Sequence, residues 1–575
     1  MTAVLPLLVV AAIFAKPTST WAMRLGPLCA LPALVISISP IGLEPVEIPW
    51  LFMGSIVGLD RTGRLFLFVT ALVWLIAAIF AQSDGVKGGR EGRFFAFFYT
   101  AMAGNLVLIV AGDVITFLTG FAVMSYAGYG LVVHRCNREA IRAARVYVVL
   151  VVFAEVLLFA GAVMAWGGAG SWELPALREA LGVSGSVAMV ATALLFCGFG
   201  VKAAMIPLHV WLPLAHPAAP VPASAVLSAA MIKAGLLGWI RFMPFGLEGQ
   251  QWLGWWAFSA GAIAAMGGVI VGLVQSRPKT ILAYSSISQM GYMTMLLALS
   301  AFVPAMYPAV SLAILVYVVH HAVSKGALFL SVTVARGAPH RWWTKLLEAM
   351  GLVIPALALA GAPLTTGAVA KAELARIPYA RPGQFPALLD WLLIVGAVAT
   401  TVLMARFLWV VWPRTHRVEP VSLTARVVWF GLATAVLWAP WFLPWEYLRR
   451  SAAAAIEPAA IWSAVWPLAL GALLSLIVVR RHELLPIRVH DRIPAGDLLV
   501  PVVRLLKIIG LVITIGTRLA QAILDIAIET VRDRLIHSLQ RLRILALIEA
   551  RLRKQAWDWL WILLVGACLF AALIL

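Results

Sequence analysis

The chain has 575 residues, 63% of them hydrophobic and 12% charged, with a formal net charge of +19 and a mean hydropathy of +0.96. A water-soluble fold of that composition would expose large apolar patches, so the composition excludes an ordinary globular enzyme and leaves lipid as the main solvent. The basic excess points to nucleic acid only if its location is ignored, because it is spread among loops between apolar runs.

Apolar runs of about 17 to 25 residues suffice to cross a bilayer. They predict spans near 1–15, 26–44, 66–82, 94–111, 113–133, 147–167, 186–213, 221–243, 253–275, 280–300, 305–334, 350–373, 386–411, 427–445 and 460–479, with a last at 556–575. The fold class expected is an all-α polytopic membrane protein of about sixteen transmembrane helices. The first run has no charged segment before it and no clear cleavage site after it, so it reads as a retained helix. Loops of odd number collect seventeen basic residues, from Lys16 to Arg426. Those of even number hold seven: Arg61, Arg64, Arg178, Arg376, Arg381, Arg449 and Arg450. The positive-inside rule then puts the basic loops in the cytoplasm and the N-terminus outside, in an inner (plasma) membrane.

The pattern predicts N-terminal helices over 1–112, a first repeat over 113–245, a connecting helix over 246–278 and a second repeat over 279–411. C-terminal helices follow over 412–495, then a lateral amphipathic helix over 496–555 and a final span over 556–575. Each repeat has five helices and a broken third member, GVKAAMIPLHVWLP in the first and LAGAPLTTGAVAKAEL in the second. An odd number of helices forces the second copy to start from the opposite face, the inverted arrangement of transporters, whose sites lie near the midplane at the breaks. Two Pro-containing helices by coincidence is the alternative. In the lateral segment Arg504, Lys507, Arg518, Asp525, Glu529, Arg532 and Asp533 fall on one side of a helix. That suits a helix lying along the membrane surface against neighbouring subunits, or one anchored to lipid alone.

Few ionisable residues lie inside the predicted spans: Glu155, Lys202, Lys233, His320, His321, Lys325 and Lys371. A charge at the bilayer centre costs roughly 2.5 to 3.5 kcal/mol on insertion scales, so such residues usually mark a pathway or relay. Lys202 and Lys371 each accompany a helix break, where irregular backbone is tolerated only if it lines a cavity or is buried in protein. The spacing of one site every one or two helices suits lateral proton hopping through water-filled gaps. His209, in the first break, is a further candidate beside His320. The structural alternatives are specific: Glu155 as an ion-pair partner, Lys202 as a carbonyl cap, a histidine bonded to backbone, Lys371 snorkelling to an interface. Lys279, at a span start, reads as an interface anchor. The four cysteines form no CxxC pair and no metal-ligand spacing, and no nucleotide loop is present, so no metal or other cofactor is expected on this chain.

Four ordered motifs, VKAAMIPLHVWLPLAHPAAPVPASAVLSAAMIKAG, SRPKTILAYSSISQMGYM, HHAVSKGALFLS and ALALAGAPLTTGAVAKAEL, resemble the proton-conducting antiporter-like subunits of complex I. The same family includes Mrp-type cation/proton antiporters and membrane-bound hydrogenases. The resemblance covers about residues 100 to 410, and the long helix before a final span is similar to that of the distal complex I subunit. It implies roles residue by residue: Lys202 as the lysine of the first broken helix, Lys233 as the central connecting lysine, His321 and Lys325 as the HxxxK pair, and Lys371 as the charged residue on the exit side. The family's Trp-Glu pair is replaced here by Phe121-Ala122. Lys202 thereby loses its expected partner; either Glu155 takes that place or the first half-channel is altered.

The expected function is a proton-translocating, non-catalytic subunit of a complex I-like or hydrogenase-like oxidoreductase assembly. Its partners would be other membrane subunits, and protons or sodium the ions moved. The alternatives are an Mrp-type sodium/proton antiporter subunit without redox drive and a non-conducting structural subunit.

Overall fold

The computed structural model describes residues 2–15, 19–40, 44–52, 54–86, 89–336, 342–377, 384–412, 421–480, 493–497, 499–539, 556–557 and 559–565. The chain divides into two compact units, Met1–Asp497 and Leu498–Leu575.

The first unit is almost wholly helical. Its N-terminal part comprises α1 (Val4–Phe14), α2 (Ser19–Leu25), α3 (Leu31–Ile38), α4 (Arg61–Phe80) and α5 (Glu91–Val110). A hairpin of β1 (Val46–Ile48) and β2 (Ser55–Val57) pairs antiparallel between α3 and α4, with Val46 opposite Val57. Then come α6 (Val114–Val133), α7 (Arg138–Ala169), α8 (Leu174–Gly182), α9 (Ser186–Lys202), α10 (Trp211–Ala218), α11 (Val221–Val226), α12 (Lys233–Phe242) and α13 (Gln251–Leu273). The remainder is α14 (Pro278–Phe302), α15 (Tyr307–Val334), α16 (Trp342–Ala360), α17 (Thr366–Ala375), α18 (Gln384–Val411), α19 (Leu423–Phe442), α20 (Glu446–Ala455) and α21 (Pro458–Arg480). The second unit contains α22 (Leu499–Leu539).

Helix starts follow local chemistry. Asp60, Asp113, Asn137 and Ser422 accept hydrogen bonds from the third backbone N–H of α4, α6, α7 and α19, satisfying donors a helix cannot pair itself. Asp113 also accepts from the Ile56 N–H at 2.8 Å, tying α6 to the hairpin. Close helix pairs rely on small residues. A side chain on Gly104 or Gly120 would run into the backbone of the facing helix in the α5–α6 pair, and Gly261, Gly268 and Gly291 play the same part between α13 and α14.

Among the described residues, twelve helices are long and apolar enough to cross a membrane, and Val4–Phe14 and Ser186–Lys202 are shorter apolar helices. The protein is therefore a membrane protein of many apolar spans. The expected sixteen is reached neither by this measure nor with the predicted bounds. The span expected at 26–44 is the helix Ser19–Ile38, continuous through a 3-10 turn at Gly26–Ala30. The run at 186–213 is two helices. α14, rich in Ser, Thr, Tyr and Gln, is not among the twelve, and nearly all of it is buried. Most of the expected last span lies outside the described residues.

The core explains where a polar path can run. α11, α12, α14 and most of α15 are buried on all sides, whereas α7, α13, α18, α19 and α21 keep outward faces rich in Val, Leu, Ile, Phe and Trp. In the second unit, α22 is continuous over 41 residues, about 62 Å at 1.5 Å per residue. Its described side chains from Thr517 to Leu535 are exposed in that unit, Leu519, Ile523 and Ile526 as much as Asp525 and Glu529. The side chains of Arg504 and Lys507 lie outside the described residues, as does most of the predicted amphipathic stretch beyond Leu539.

Candidate functional site

Two interrupted helices and one widened helix hold the buried ionisable groups. α9 ends at Lys202, where the Met205 N–H reaches back five residues to the Gly200 carbonyl and Ala204 takes a left-handed φ of 56°. α16 ends similarly at Ala360, with the Ala362 N–H bonded to the Leu357 carbonyl and Leu364 at φ 63°. Left-handed φ is costly for residues other than glycine and persists only where surrounding structure imposes it. Between α11 and α12 the chain makes a π turn at Leu227–Met231, closed by the Ile232 N–H on the Leu227 carbonyl at 3.0 Å. Such turns leave neighbouring carbonyls short of backbone partners and recur at functional sites.

Each lysine is placed by one of these irregularities. Lys202, 2% exposed, points its Nζ at Ser125 Oγ (3.0 Å) and Tyr147 Oη (3.2 Å), while Tyr147 donates to the Ser125 carbonyl at 2.9 Å. The rings of Phe121, Tyr147 and Trp211 lie 5.5 to 5.9 Å from the ammonium, within cation–π range. A void of about 10 Å³ beside Lys202 is near the lower limit for one water. Glu155 lies on the facing helix α7, half-buried, with Oε1 enclosed and unpartnered. It interacts electrostatically with Lys202, but no ion pair within 4 Å joins them. Hydroxyls and aromatic faces, rather than a carboxylate, hold this ammonium.

Lys233 opens α12 immediately after the π turn. Its Nζ takes the Ala229 carbonyl at 2.7 Å and faces His321 Nδ1 at 2.9 Å. Both side chains are buried, and His321 Nε2 has no partner. Lys325, one turn further along α15, donates to the Leu282 carbonyl of α14 at 2.9 Å. Ser286 also donates to that carbonyl and meets Ser228 at 2.8 Å, so a thread of polar atoms runs from Lys325 back toward the π turn. His320 faces elsewhere. Its Nδ1 lies 3.0 Å from Thr366 Oγ1, at the start of α17 beyond the second break. Two adjacent histidines therefore address opposite partners, His321 the central lysine and His320 the second interrupted helix.

Lys371 reaches back from α17 to the last carbonyl of α16, Ala360, at 2.9 Å. Gly361 permits this, having φ 89° and no Cβ to collide with the lysine's terminal atoms. Lys371 lines a cavity of about 320 Å³ shared with Gln289, Tyr292, Tyr317, Asp390 and Thr400. His209, in the first break, is wholly buried and pairs through Nε2 with Asp497. The structure thus brings Lys233, His321 and Lys325 together, attaches His320 to the second break, and leaves Lys202 with Glu155 and Lys371 with its cavity at separate stations. Sequence reasoning did not single out Ser125, Tyr147, Thr366 or Asp497. Hydroxyls in apolar spans were the available signal for the first three; Asp497 had none.

Among the described residues, no cluster of three or more His, Cys, Asp and Glu side chains could hold a metal ion. The arrangement suits passage of protons between lysine, imidazole and hydroxyl groups through a dry interior with room for occasional water.

The family pattern described as "NADH:quinone oxidoreductase/Mrp antiporter, TM" matches residues 111–389. Hydrogenase-4 component B of Escherichia coli is 29% identical over 336 residues, 56% of this chain and 49% of that protein. NADH-quinone oxidoreductase subunit N of Desulforudis audaxviator is 29% identical over 361 residues, 61% and 67% of the two chains. In the solved Mrp complex of Dietzia, one chain superposes with a TM-score of 0.73 and 21% identity, covering 91% of this chain and 60% of that one. The chain thus shares the fold of that one chain of the Mrp complex and spans about half the length of the hydrogenase component it resembles.

Proposed function

Because residues 111–389 match the pattern described as "NADH:quinone oxidoreductase/Mrp antiporter, TM", we propose that the chain is a proton-translocating, antiporter-like subunit of a redox-driven membrane complex. In this reading protons move through Glu155, Lys202, Lys233, His321, Lys325 and Lys371, with His320 as the link to the second break and His209 as an additional member. The basic loops face the cytoplasm, the segments 113–245 and 279–411 act as inverted halves, and neighbouring membrane subunits bind partly through α22. The chain itself carries no redox centre; electron transfer in partners would alter the environment of Glu155 and Lys202.

The observation that carries this reading is the buried 2.9 Å contact of Lys233 with His321. One residue comes from each proposed half, neither has a carboxylate beside it among the described residues, and an ammonium–imidazole contact in an apolar interior makes sense as a site of proton exchange. A proton leaving Lys233 Nζ for His321 Nδ1 frees the imidazole to release one from Nε2, which is enclosed and unpartnered. The 320 Å³ cavity at Lys371 gives the far end of the path an aqueous-sized outlet.

The first test is gentle purification of the tagged chain with mass spectrometry of its partners. Iron–sulfur or hydrogenase-like partners support the redox-driven pump. Recovery of small membrane subunits alone favours a gradient-driven sodium/proton antiporter instead, to be settled by sodium and proton flux with Lys233→Ala as control. A second reading, a non-conducting structural subunit, draws on the hydroxyl cage of Lys202 and on Ala122; proton transport that survives Lys233→Ala would favour it.

A further inference from the structure

The segment Ile493–Asp497 returns to the first broken helix far from it in sequence. The Gln275 side chain, at the end of α13, donates to the Ile493 carbonyl at 3.2 Å. Gly496, at φ 75°, packs against Leu214 and the Val210 carbonyl of the break and α10, leaving little space for a side chain there. Asp497 Oδ1 then accepts from Tyr284 Oη at 3.2 Å and meets His209 Nε2 at 2.9 Å. The imidazole is completely buried and its Nδ1 is enclosed without a partner, whereas the Asp497 side chain keeps 14% of its surface accessible. Tyr284 is six residues into α14, so the carboxylate lies roughly 9 Å below the start of that helix, on the side of the basic Arg277 loop. Asp497 also lies well beyond the family-matched segment, which ends at residue 389.

We propose that Asp497 and His209 form a proton-uptake pair that loads the first interrupted helix from the side of the basic loops. The proposal rests on the proton-translocation reading above. The protonated Asp497 carboxyl gives its proton to Nε2, forming imidazolium and carboxylate. The imidazolium turns about Cβ–Cγ and releases the Nε2 proton inward, leaving the neutral Nδ1–H imidazole that began the cycle. Water reprotonates the carboxylate, and the ring turns back to face it, with Nδ1–H retained throughout. One proton enters and one leaves per cycle, with no co-reactant. Tyr284 is a positioning residue that holds the carboxylate toward the ring.

The test uses the intact membrane complex containing the full chain, reconstituted in liposomes with internal pyranine and driven by a valinomycin–potassium potential. Asp497→Asn is expected to slow proton uptake by about 10²-fold, the lower range for losing a positioned proton-transfer group. Asp497→Glu should keep most of it, and azide, a small diffusible weak acid, should restore the Asn variant. Normal rates in Asp497→Asn, with Lys233→Ala inactive, overturn the uptake pair and leave the proton-translocation reading intact. Loss in Asp497→Asn without azide rescue makes the residue a structural tie and also overturns the proposal. Normal rates in both variants overturn the function and the pair together. If Asp497→Asn fails to assemble, His209→Gln is read by the same criteria.

Discussion

Lys233 and His321 meet 2.9 Å apart although they lie 88 residues apart in sequence on different helices, and the lysine's other partner is a carbonyl made available by a π turn. The contact is therefore a property of backbone geometry as much as of the two side chains. Lys233→Ala is expected to leave assembly intact and to lower potential-driven proton uptake by at least about 10²-fold, read from pyranine fluorescence in liposomes. An unchanged rate would remove the central station.

By the resemblance, Ala122 takes the place of a glutamate, and in the proposed path the carboxylate that would serve Lys202 is Glu155, one helix later. Glu155→Gln should reduce proton uptake, while the double variant Ala122→Glu, Glu155→Gln should regain most of the lost rate by putting a carboxylate back on α6, the helix that carries Ser125. Uptake rates of the two variants, compared at equal protein incorporation, decide the matter; a silent Glu155→Gln change would mean that Lys202 works without a carboxylate.

Gly361 combines a left-handed φ with contact against the Lys371 chain. Gly361→Ala should destabilise the protein by about 1 to 3 kcal/mol, the cost of a strained φ at a non-glycine residue, and displace Lys371 from the Ala360 carbonyl. Thermal unfolding in detergent measures the first effect; a wild-type midpoint would mean that the break can relax.

His134 lies in the turn after α6, outside the spans. Burial, then the charges of Arg93, Arg90 and Arg135, pull its pKa down to about 4 against an ordinary 6.5, with Glu91 opposing. The unfolded chain takes up this proton first as pH falls. Stability present above pH 6.5 should therefore decline toward pH 4. His134→Gln should flatten that part of the midpoint-against-pH curve, and parallel curves for the two proteins would rule the contribution out.

Much of the candidate site was legible because hydrocarbon makes charge conspicuous. Lys202, Lys233, His321, Lys325 and Lys371 stood out against apolar neighbours, and the proline-bearing breaks marked where irregular backbone occurs. What could not be read was how they are held. Ser125 and Tyr147 are ordinary residues for a packed helix, and only the fold turns them toward Lys202. The π turn has no sequence mark, since Leu227–Met231 suits an α-helix equally well. Asp497 sits 288 residues from His209, and no local pattern announces so distant a pairing. Sixteen spans are not counted among the described residues for a different reason: helices buried inside protein, such as α14, need not be apolar all round, while a short helix such as α9 can pair with its continuation.

A π turn contains one residue more than the α-helical turn it replaces, so everything after it is rotated by about 100° relative to an uninterrupted helix. In the buried element Val221–Phe242 the first part packs against α4 and α15, and the second against α8 and α9. The turn at Leu227–Met231 acts as a phase shifter between those two environments, letting one helix be in register with different neighbours above and below. Lys233 stands at the seam. A substitution changes its chemistry, but removing a single residue from the turn would change its compass bearing, swinging the ammonium from the His321 side to an adjacent face while the lysine itself stayed the same. Length, at this one position, carries as much information as identity.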